Sequence, residues 1–401
     1  MPASTTPPRA QALTLLLCST LTVMAAATIT PSLAGIAAHF ADTPHAGMLT
    51  RLVLTLPALF IVLAAPWAGR ACDRRGRKPV LLTGLALYVI AGSAGALAPS
   101  LSLLLVSRAV LGVGIACLMT ATTTMIADSS HGSAQTRLLG LQGAFMAGGG
   151  VVFVFAGGLA AEVHWRVAFG VYLLALLLLP AMLRLPETRN ARSVDDPPAT
   201  GLPLVQRLRQ LGVIYALAFV GMALFYLMPV YMPFLLSERF ALSAGWVGAF
   251  IALCNVAAMV SGTQFGRIRA RVPSLGMVAI TAGLLAGGYA VVAMSYSMAW
   301  VVLGLVVAGA GLGFMVPNLN HWAVQNTDAA QRGQALGGLT TAFFLGQFAS
   351  PLLAQPVASQ WGNGGLYAAA AVVLGSGAAV AAAIALRSIS RSTRLRSMPP
   401  P

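Results

Sequence analysis

The charged residues best placed to do chemistry stand together between Gly69 and Lys78. These positions hold five cations and the single carboxylate of Asp73, and an apolar segment of about twenty residues lies on each side. A short basic stretch between two membrane-length segments is typical of a cytoplasmic loop, in which Gly69 and Gly76 would let the chain turn closely. From the residues alone, the stretch is a loop whose positive charge fixes the orientation of the chain.

A second set of ionisable residues lies in or beside apolar segments. Arg108 is inside one, and a charge there is costly unless it faces a partner, a cavity or a substrate, or reaches the interface. Coupling could run through Asp42 with Arg51, through Arg108, or not through protons at all. His321 carries the side chain that exchanges protons most readily near neutral pH, although a histidine bonded to its Asn and Gln neighbours fits equally well.

The sequence lacks the patterns of an enzyme. It contains no Gly-x-Ser-x-Gly or His-Glu-x-x-His motif and no nucleotide-binding loop, and its four cysteines have no metal-ligand spacing. We therefore predict no catalysis, no cofactor, no metal and no disulfide. None of the nine acidic residues falls at the middle of an apolar segment, which favours neutral or anionic amphiphiles over organic cations as ligands.

The composition is that of a membrane protein. Hydrophobic residues make up 58% and charged residues 8%, with a mean hydropathy of +0.83. The net charge of +15 does not indicate nucleic acid, because the cations follow loops instead of forming one face. The apolar segments predict an all-α membrane protein with twelve transmembrane helices, at 11–38, 47–68, 79–98, 101–127, 137–161, 166–184, 210–236, 243–266, 273–294, 297–325, 333–358 and 364–386.

Charge distribution and internal similarity organise these segments. Nearly all cations fall on one side if the N-terminus is cytoplasmic, which places both termini inside the cell and the protein in its inner (plasma) membrane. Corresponding residues of the two halves recur at offsets between 195 and 200, for example Asp128 and Asp328, as a structural repeat would leave them. The predicted regions are a disordered tail at 1–10, a six-helix bundle at 11–184, a cytoplasmic linker at 185–209, a second bundle at 210–386 and a disordered tail at 387–401.

The order G-x-x-x-D-R-x-G-R-K in this basic stretch resembles the signature loop of the major facilitator superfamily of transporters. The resemblance implies two pseudo-symmetric six-helix bundles that rock about a central site. It also implies that Asp73 latches the two halves and that Arg77 positions it. The other residues of this conformational gate are Gly69, Arg74, Gly76 and Lys78. Arg108, followed by small residues, is similar to the fourth-helix motif implicated in proton coupling or substrate contact.

Helices one, four, seven and ten line the central cavity in that superfamily. The resemblance therefore implies cavity roles for Thr28, Thr30, Met222, Tyr226, Asn318, Asn320 and Gln325. Core packing or lipid contact remains the alternative for the Met and Tyr members. We expect an interruption of the tenth helix at Pro317, which would free backbone carbonyls for a site. Close helix packing, or a part in the opening motion, is expected at Gly112, Gly114, Gly157, Gly158 and Pro351.

These patterns predict a secondary active transporter that moves small organic solutes by alternating access. The function that we predict first is proton-coupled efflux of drugs or amphiphilic metabolites. The alternatives are an uptake permease or facilitator for a neutral or anionic metabolite and a membrane receptor that does not transport. The antiporter pattern is incomplete, because Phe153-Val154 stands where antiporters usually have Gly-Pro before Gly157-Gly158. The expected partners are a small-molecule substrate, protons as candidate coupling ions and the lipid bilayer, with no nucleic acid and a monomeric state.

Overall fold

The computed structural model describes residues 7–130, 133–187, 204–328 and 331–396, and within these ranges the regular structure is helical without strands. The helices of the first half are α1 (Arg9–Ala27), α2 (Leu33–His39), α3 (Ala46–Arg75), α4 (Arg77–Ala94), α5 (Leu101–Ser129), α6 (Ser133–Val163), α7 (Val167–Gly170) and α8 (Leu179–Leu183). Those of the second half are α9 (Leu204–Phe225), α10 (Leu227–Phe240), α11 (Ala244–Arg269), α12 (Ser274–Met294), α13 (Met298–Gln325) and α14 (Arg332–Arg396).

Ten helical runs of the described chain are long and apolar enough to cross a membrane, and a shorter apolar run covers Val167–Leu183. The last long run, Arg332–Arg387, contains Gly362, whose φ of 67° and ψ of 177° are not helical. It therefore consists of two segments joined at a kink, which gives twelve spans in the described residues. The predicted fold class is confirmed.

Helix breaks do not occur where we expected them. The chain leaves α1 after Ala27 and passes through a 3₁₀ turn at Thr30–Ser32 before α2, and Tyr226 separates α9 from α10. By contrast, α13 continues through Pro317, so the predicted interruption there is wrong. A proline is tolerated inside a membrane helix when neighbouring groups satisfy the backbone that it leaves free.

The basic stretch is mostly helix. Because α3 continues to Arg75 and α4 begins at Arg77, Gly76 alone forms the turn, with a φ of 94° that favours glycine. Gly69 lies inside α3 with open space where a Cβ would be, so the turn expected at Gly69 is wrong. Arg74 and Arg75 occupy the last turn of α3, where cations complement the helix dipole.

Glycines mark close helix contacts. A Cβ at Gly112 would lie 2.8 Å from Phe60 Cβ of α3, and one at Gly114 would lie 2.9 Å from the Tyr88 nitrogen of α4. A Cβ at Gly157 would overlap the carbonyl oxygen of Thr28. Such close approaches need small residues.

The chain divides into two compact units. The first unit contains residues 1–200, 226–252 and 344–355, and the second contains 201–225, 253–343 and 356–401. Most of the predicted linker, residues 188–203, lies outside the described residues, as do 1–6 and 397–401 of the predicted tails. Helix α14 runs to Arg396, past the boundary predicted at 386, because helical hydrogen bonding does not require apolar side chains.

Candidate functional site

Arg77 is the centre of the polar cluster at the signature turn. Its side chain is fully buried at the start of α4. Its Nε donates to Asp128 Oδ2 at 2.9 Å, and its Nη1 donates to the Cys72 carbonyl at 3.1 Å. Asp73 Oδ1 is 3.9 Å from Nη2, and the Asp73 side chain is 71% exposed. The near partner of the buried cation is therefore Asp128 of α5, which the resemblance had not assigned, and Asp73 is a distant one.

The turn is also tied to residues at the end of the sixth span. Lys78 Nζ donates to the Leu183 carbonyl at 2.7 Å, and the Lys78 backbone nitrogen donates to Glu187 Oε1 at 3.4 Å. A Cβ at Gly76 would overlap the Glu187 carboxylate. Any other residue at position 76 would therefore meet both an unfavourable φ and this side chain. Arg74 is exposed at the end of α3.

Arg108 is held by a fixed set of acceptors inside the first unit. Its side chain is 1% exposed, and its Nη2 donates to the carbonyls of Ala91 and Gly92 at 2.8 and 2.9 Å. Its Nη1 donates to the Tyr172 hydroxyl at 3.1 Å, and its guanidinium lies 4.9 Å from the Phe169 ring centroid. Carbonyls in the last turn of a helix carry partial negative charge, which complements a cation that lacks a carboxylate. Arg108 therefore neither reaches the interface nor leaves its donors open to a substrate.

Arg51 forms a third polar centre of the first unit, near the opposite end of α3 from Gly76. Its Nη1 donates to Gln355 Oε1 at 2.9 Å, and its guanidinium lies 4.5 Å from the ring of Tyr231 and 4.7 Å from that of Phe234. Stacking on aromatic faces suits a guanidinium. The arrangement joins α3 to α10 and α14, which come from the other half of the sequence. We call Arg51, Tyr231, Phe234 and Gln355 the Arg51 cluster.

The two sequence halves also touch within the first unit at a glycine contact. Gly158 of α6 faces α11, where its Cβ would lie 3.2 Å from the Cα atoms of Gly245 and Gly248. Nearby, the Ser243 hydroxyl donates to the Glu162 carboxylate. Pro351 of α14 contributes its carbonyl, which accepts from the Tyr231 hydroxyl at 3.4 Å. These contacts and the Arg51 cluster hold segments of both halves together.

Sequence comparisons agree with this geometry. The sequence profile of the Major Facilitator Superfamily matches residues 15–351. The chain belongs to this superfamily. The recognition made from the signature stretch is thereby confirmed, and the protein is a multi-pass membrane protein of a transporter family.

Relatives of this superfamily member include resistance proteins. It is 27% identical over 338 residues to the class G tetracycline resistance protein of Vibrio anguillarum, covering 80% of this chain and 84% of the relative. It is equally 27% identical to the class E tetracycline resistance protein of Escherichia coli, covering 81% and 82%. Multidrug resistance protein 1 of Bacillus subtilis is 31% identical over 142 residues, which cover 34% of this chain and 36% of that protein.

Solved structures of the superfamily show the same fold. The nucleoside transporter NupG has a TM-score of 0.75 at 13% identity, covering 93% of this chain and 98% of that one. The human organic anion transporter MFSD10 has a TM-score of 0.68 at 21% identity, covering 94% and 100%. At these identities the likeness is one of fold alone.

Asp42 and His321 are two candidate coupling residues, and their roles stay predictions. Asp42 is exposed, and within the described residues Arg51 has the Arg51 cluster and the Gly47 carbonyl as partners instead of Asp42. Asp42 and Arg51 thus form no ion pair in the described residues, and a coupling role for them stays a prediction. His321 is half-buried and contacts the Phe265 ring at 6.4 Å, with no hydrogen bond to Asn or Gln in the described part of the chain.

The predicted cavity residues fall into separate environments. In the first unit, Thr28 and Thr30 are buried at the end of α1, where Thr30 Oγ1 bonds the Ala26 carbonyl at 3.0 Å. Tyr226 is half-buried in the same unit at the junction of α9 and α10. In the second unit, Met222 packs on an apolar core cluster and Asn320 is half-buried. Three of these residues thus belong to the first unit and two to the second, and their roles in a cavity stay a prediction.

The remaining two predicted cavity residues belong to a polar cluster of the second unit. Asn318 is buried, and its Nδ2 donates to the Ser274 carbonyl at 3.0 Å. Arg269 Nη2 donates both to Ser274 Oγ and to Oε1 of the exposed Gln325, each at 3.2 Å. Gln325 is therefore at a helix end and not at the level of Asn318.

Sequence reasoning missed one polar centre entirely. Gln142 is buried in α6, and its Nε2 donates to Ser19 Oγ of α1 at 3.0 Å and to Thr123 Oγ1 of α5 at 3.1 Å. The signal was available, since a glutamine inside an apolar segment needs partners. The network joins three helices of the first unit.

Proposed function

We propose that the protein is a secondary active transporter that exports small organic molecules, drugs among them, across the membrane. The observation that carries this proposal is the similarity to tetracycline resistance proteins over four-fifths of the chain. The partial match to a multidrug resistance protein supports it. Transported substrates are proposed to be neutral or anionic amphiphiles, because no described span carries a carboxylate near its middle.

Alternating access is proposed to depend on the two ends of α3. The Arg77–Asp128 pair would stabilise one state at the signature turn, with Asp73 as its exposed third member. The Arg51 cluster would stabilise the other state, since it joins α3 to α10 and α14 about 36 Å away along the helix, at 1.5 Å per residue. A transporter needs two such competing sets of contacts if both states are to be populated.

The substrate transport itself is testable in inside-out membrane vesicles. We expect vesicles that contain the protein to accumulate tetracycline when a proton gradient, acid inside, is imposed, and to lose it when a protonophore collapses the gradient. Vesicles without the protein are the control. Accumulation that ignores the gradient would instead favour a facilitator, and no flux for tetracycline or other amphiphiles would overturn the export proposal.

Both termini are proposed to be cytoplasmic, with the protein in the inner (plasma) membrane. In a cysteine-free background, single cysteines at Gly132 and Thr200 should resist membrane-impermeant thiol reagents in intact cells. Cysteines at Pro44 and Asn363 should react. Labelling of the first pair from outside would reverse the proposed orientation.

A further inference from the structure

The second unit contains a cavity that the transport proposal does not use. Its volume is about 460 Å³, and it is bounded by α9, α12, α13 and the part of α14 after Gly362. Its walls are aliphatic, with Val220, Leu285, Leu319 and Val380 among them, and none of its lining residues is charged. This volume lies in the range of drug-sized ligand pockets.

Two buried polar atoms on this apolar wall lack hydrogen-bond partners. Asn318 is 1% exposed, and its Nδ2 is engaged by the Ser274 carbonyl, which leaves its Oδ1 as the unpartnered acceptor. Thr281 is 6% exposed, and its hydroxyl has no partner in the described structure. A buried polar group without a partner costs about 1–3 kcal/mol. Two of them line one cavity, where a polar group from outside the chain could partner both.

The first unit fills the corresponding place with its own side chain. Helices α4 and α12 begin at Arg77 and Ser274, so position 88 of the first corresponds to position 285 of the second. Tyr88 is fully buried and contacts the tilted ring of Tyr172 with a centroid distance of 5.4 Å, whereas Leu285 lines the cavity. Where the first unit has a phenol ring, the second unit has a shorter side chain and space.

We propose that this cavity binds an uncharged, apolar, drug-sized molecule that carries a hydroxyl or N–H group. Its apolar body would cover the aliphatic walls, and its donor would bond Asn318 Oδ1 with the Thr281 hydroxyl as a second partner. The absence of lining charge disfavours anions and cations, because neither would find a counter-ion. The site lies wholly within the second unit and does not depend on the transport proposal, since binding can be measured without flux.

The probes are 4-phenylphenol and its methyl ether, 4-methoxybiphenyl, which differ in one hydrogen-bond donor. Equilibrium binding is measured on the full-length protein in lipid nanodiscs, and uptake by empty nanodiscs is subtracted. We expect the phenol to bind the wild-type protein about three- to tenfold more tightly than the ether, as one hydrogen bond in a dry site would give. Equal binding of both probes would overturn the proposal, because an acyl chain or any apolar molecule would fill the cavity as well.

Thr281→Val and Asn318→Leu test the polar atoms. Thr281→Val removes a hydroxyl that has no other partner, so folding should be unaffected. Each change should reduce the preference for the phenol to within about twofold while leaving the affinity for the ether in place. A preference that survives both changes would place the phenol elsewhere.

Gly377→Phe tests the cavity itself. Gly377 lines the cavity and has open space at its Cβ position, so a ring there can occupy the volume without displacing the backbone. The matched control is Gly287→Phe, which adds the same ring to an exposed glycine of α12 that also has open space but lies outside the cavity. We expect Gly377→Phe to lower binding of both probes at least tenfold and Gly287→Phe to leave it unchanged. Unchanged binding in Gly377→Phe would place the probes outside this cavity and overturn the proposal.

Discussion

The helix pairs α4–α5 and α12–α13 occupy matched places in the two halves and hold different polar groups. They begin at Arg77 and Leu101 in one half and at Ser274 and Met298 in the other, so both helices start 197 positions apart. In this register Asp128 corresponds to Gln325. A buried ion pair in the first unit is thus replaced by neutral groups in the second.

The second unit supplies its cation from another helix. Arg269 at the end of α11 bonds Ser274 and Gln325, which stand where Arg77 and Asp128 stand in the first unit. Arg269 is half-buried, whereas Arg77 is fully buried. A buried charge that loses its partner is costly, and a solvated one is not. We infer that the first unit carries the stronger latch.

The same contrast holds for the aromatic cores. Each unit has a buried tyrosine pair, Tyr88 with Tyr172 at 5.4 Å and Tyr289 with Tyr367 at 5.2 Å between ring centroids. In each pair one hydroxyl bonds a carbonyl near the end of the unit's first long helix, α1 or α9. Only the first unit adds a cation, Arg108, where the register places a leucine in the second. The two pairs stand at positions that do not correspond, since Tyr88 matches Leu285 and Tyr289 matches Gly92, so the units share a type of contact and differ in charge.

The largest effect is expected from removing the Asp128 carboxylate of the Arg77–Asp128 pair. Asp128→Ala leaves Arg77 buried with the Cys72 carbonyl and a carboxylate at 3.9 Å, so we expect a loss of about 3–5 kcal/mol of unfolding free energy and of most transport. The matched change Gln325→Ala removes one exposed hydrogen bond and should cost no more than about 1 kcal/mol. Unfolding of the detergent-solubilised protein, followed by tryptophan fluorescence, gives both values. Equal losses of unfolding free energy in Asp128→Ala and Gln325→Ala would mean that the Arg77 and Arg269 contacts stabilise the protein equally.

A somewhat smaller effect is expected when Arg108 is replaced by the residue at the corresponding position of the second unit. Arg108→Leu installs the residue that the second unit has at position 305, which is fully buried there. The side chain should fit, but the Ala91 and Gly92 carbonyls lose a charged donor, at a cost of about 1.5–3 kcal/mol. Arg108→Lys should restore little, because an ammonium does not reproduce a planar fork of donors. Transport and unfolding are measured for both; full activity of Arg108→Leu would mean that the cation is dispensable.

Local patterns predicted the spans well because crossing a bilayer requires about twenty apolar residues whatever the contacts. The repeat was also visible, but the offset of 200 that paired Asp128 with Asp328 is wrong in register, since the helices give 197 and pair it with Gln325. Which cation is buried could not be read from the signature stretch. The burial of Arg77 depends on how α3 and α5 pack around α4, and those contacts join residues that are far apart in the sequence.

The partners of Arg108 were hidden for another reason. Its acceptors are two backbone carbonyls and a tyrosine hydroxyl, and backbone acceptors have no residue type that a sequence could reveal. The Arg51 cluster was likewise unpredicted, because Gln355 and the two rings lie more than 170 positions away. Asp42 is near Arg51 in the sequence, but proximity in sequence did not indicate the partners that the guanidinium has.

Asp73→Asn should have a small effect on stability and a larger one on transport. The carboxylate is exposed and 3.9 Å from Arg77, so the change should cost less than about 1 kcal/mol of unfolding free energy. If Asp73 nevertheless acts as a latch in one transport state, flux should fall while expression is preserved. Reagent access to cysteines placed on α5 should then rise from the cytoplasmic side. Unchanged flux with unchanged access would reduce Asp73 to an orientation signal.

The smallest effect is expected at His321. The side chain is half-buried on α13 and meets the Phe265 ring edge-to-face, with 6.4 Å between the ring centroids. His321→Gln keeps a polar side chain of similar length and removes the ring, so we expect stability to change by no more than a few tenths of a kcal/mol and flux to be largely retained. The decisive measurement is flux at several pH values in the vesicle assay. If the pH dependence of wild-type flux persists in His321→Gln, the second unit has no proton site at this position. The contrast between the buried charges of the first unit and the neutral groups of the second is then strengthened. If the pH dependence disappears instead, α13 carries the coupling proton and the second unit takes part in proton coupling.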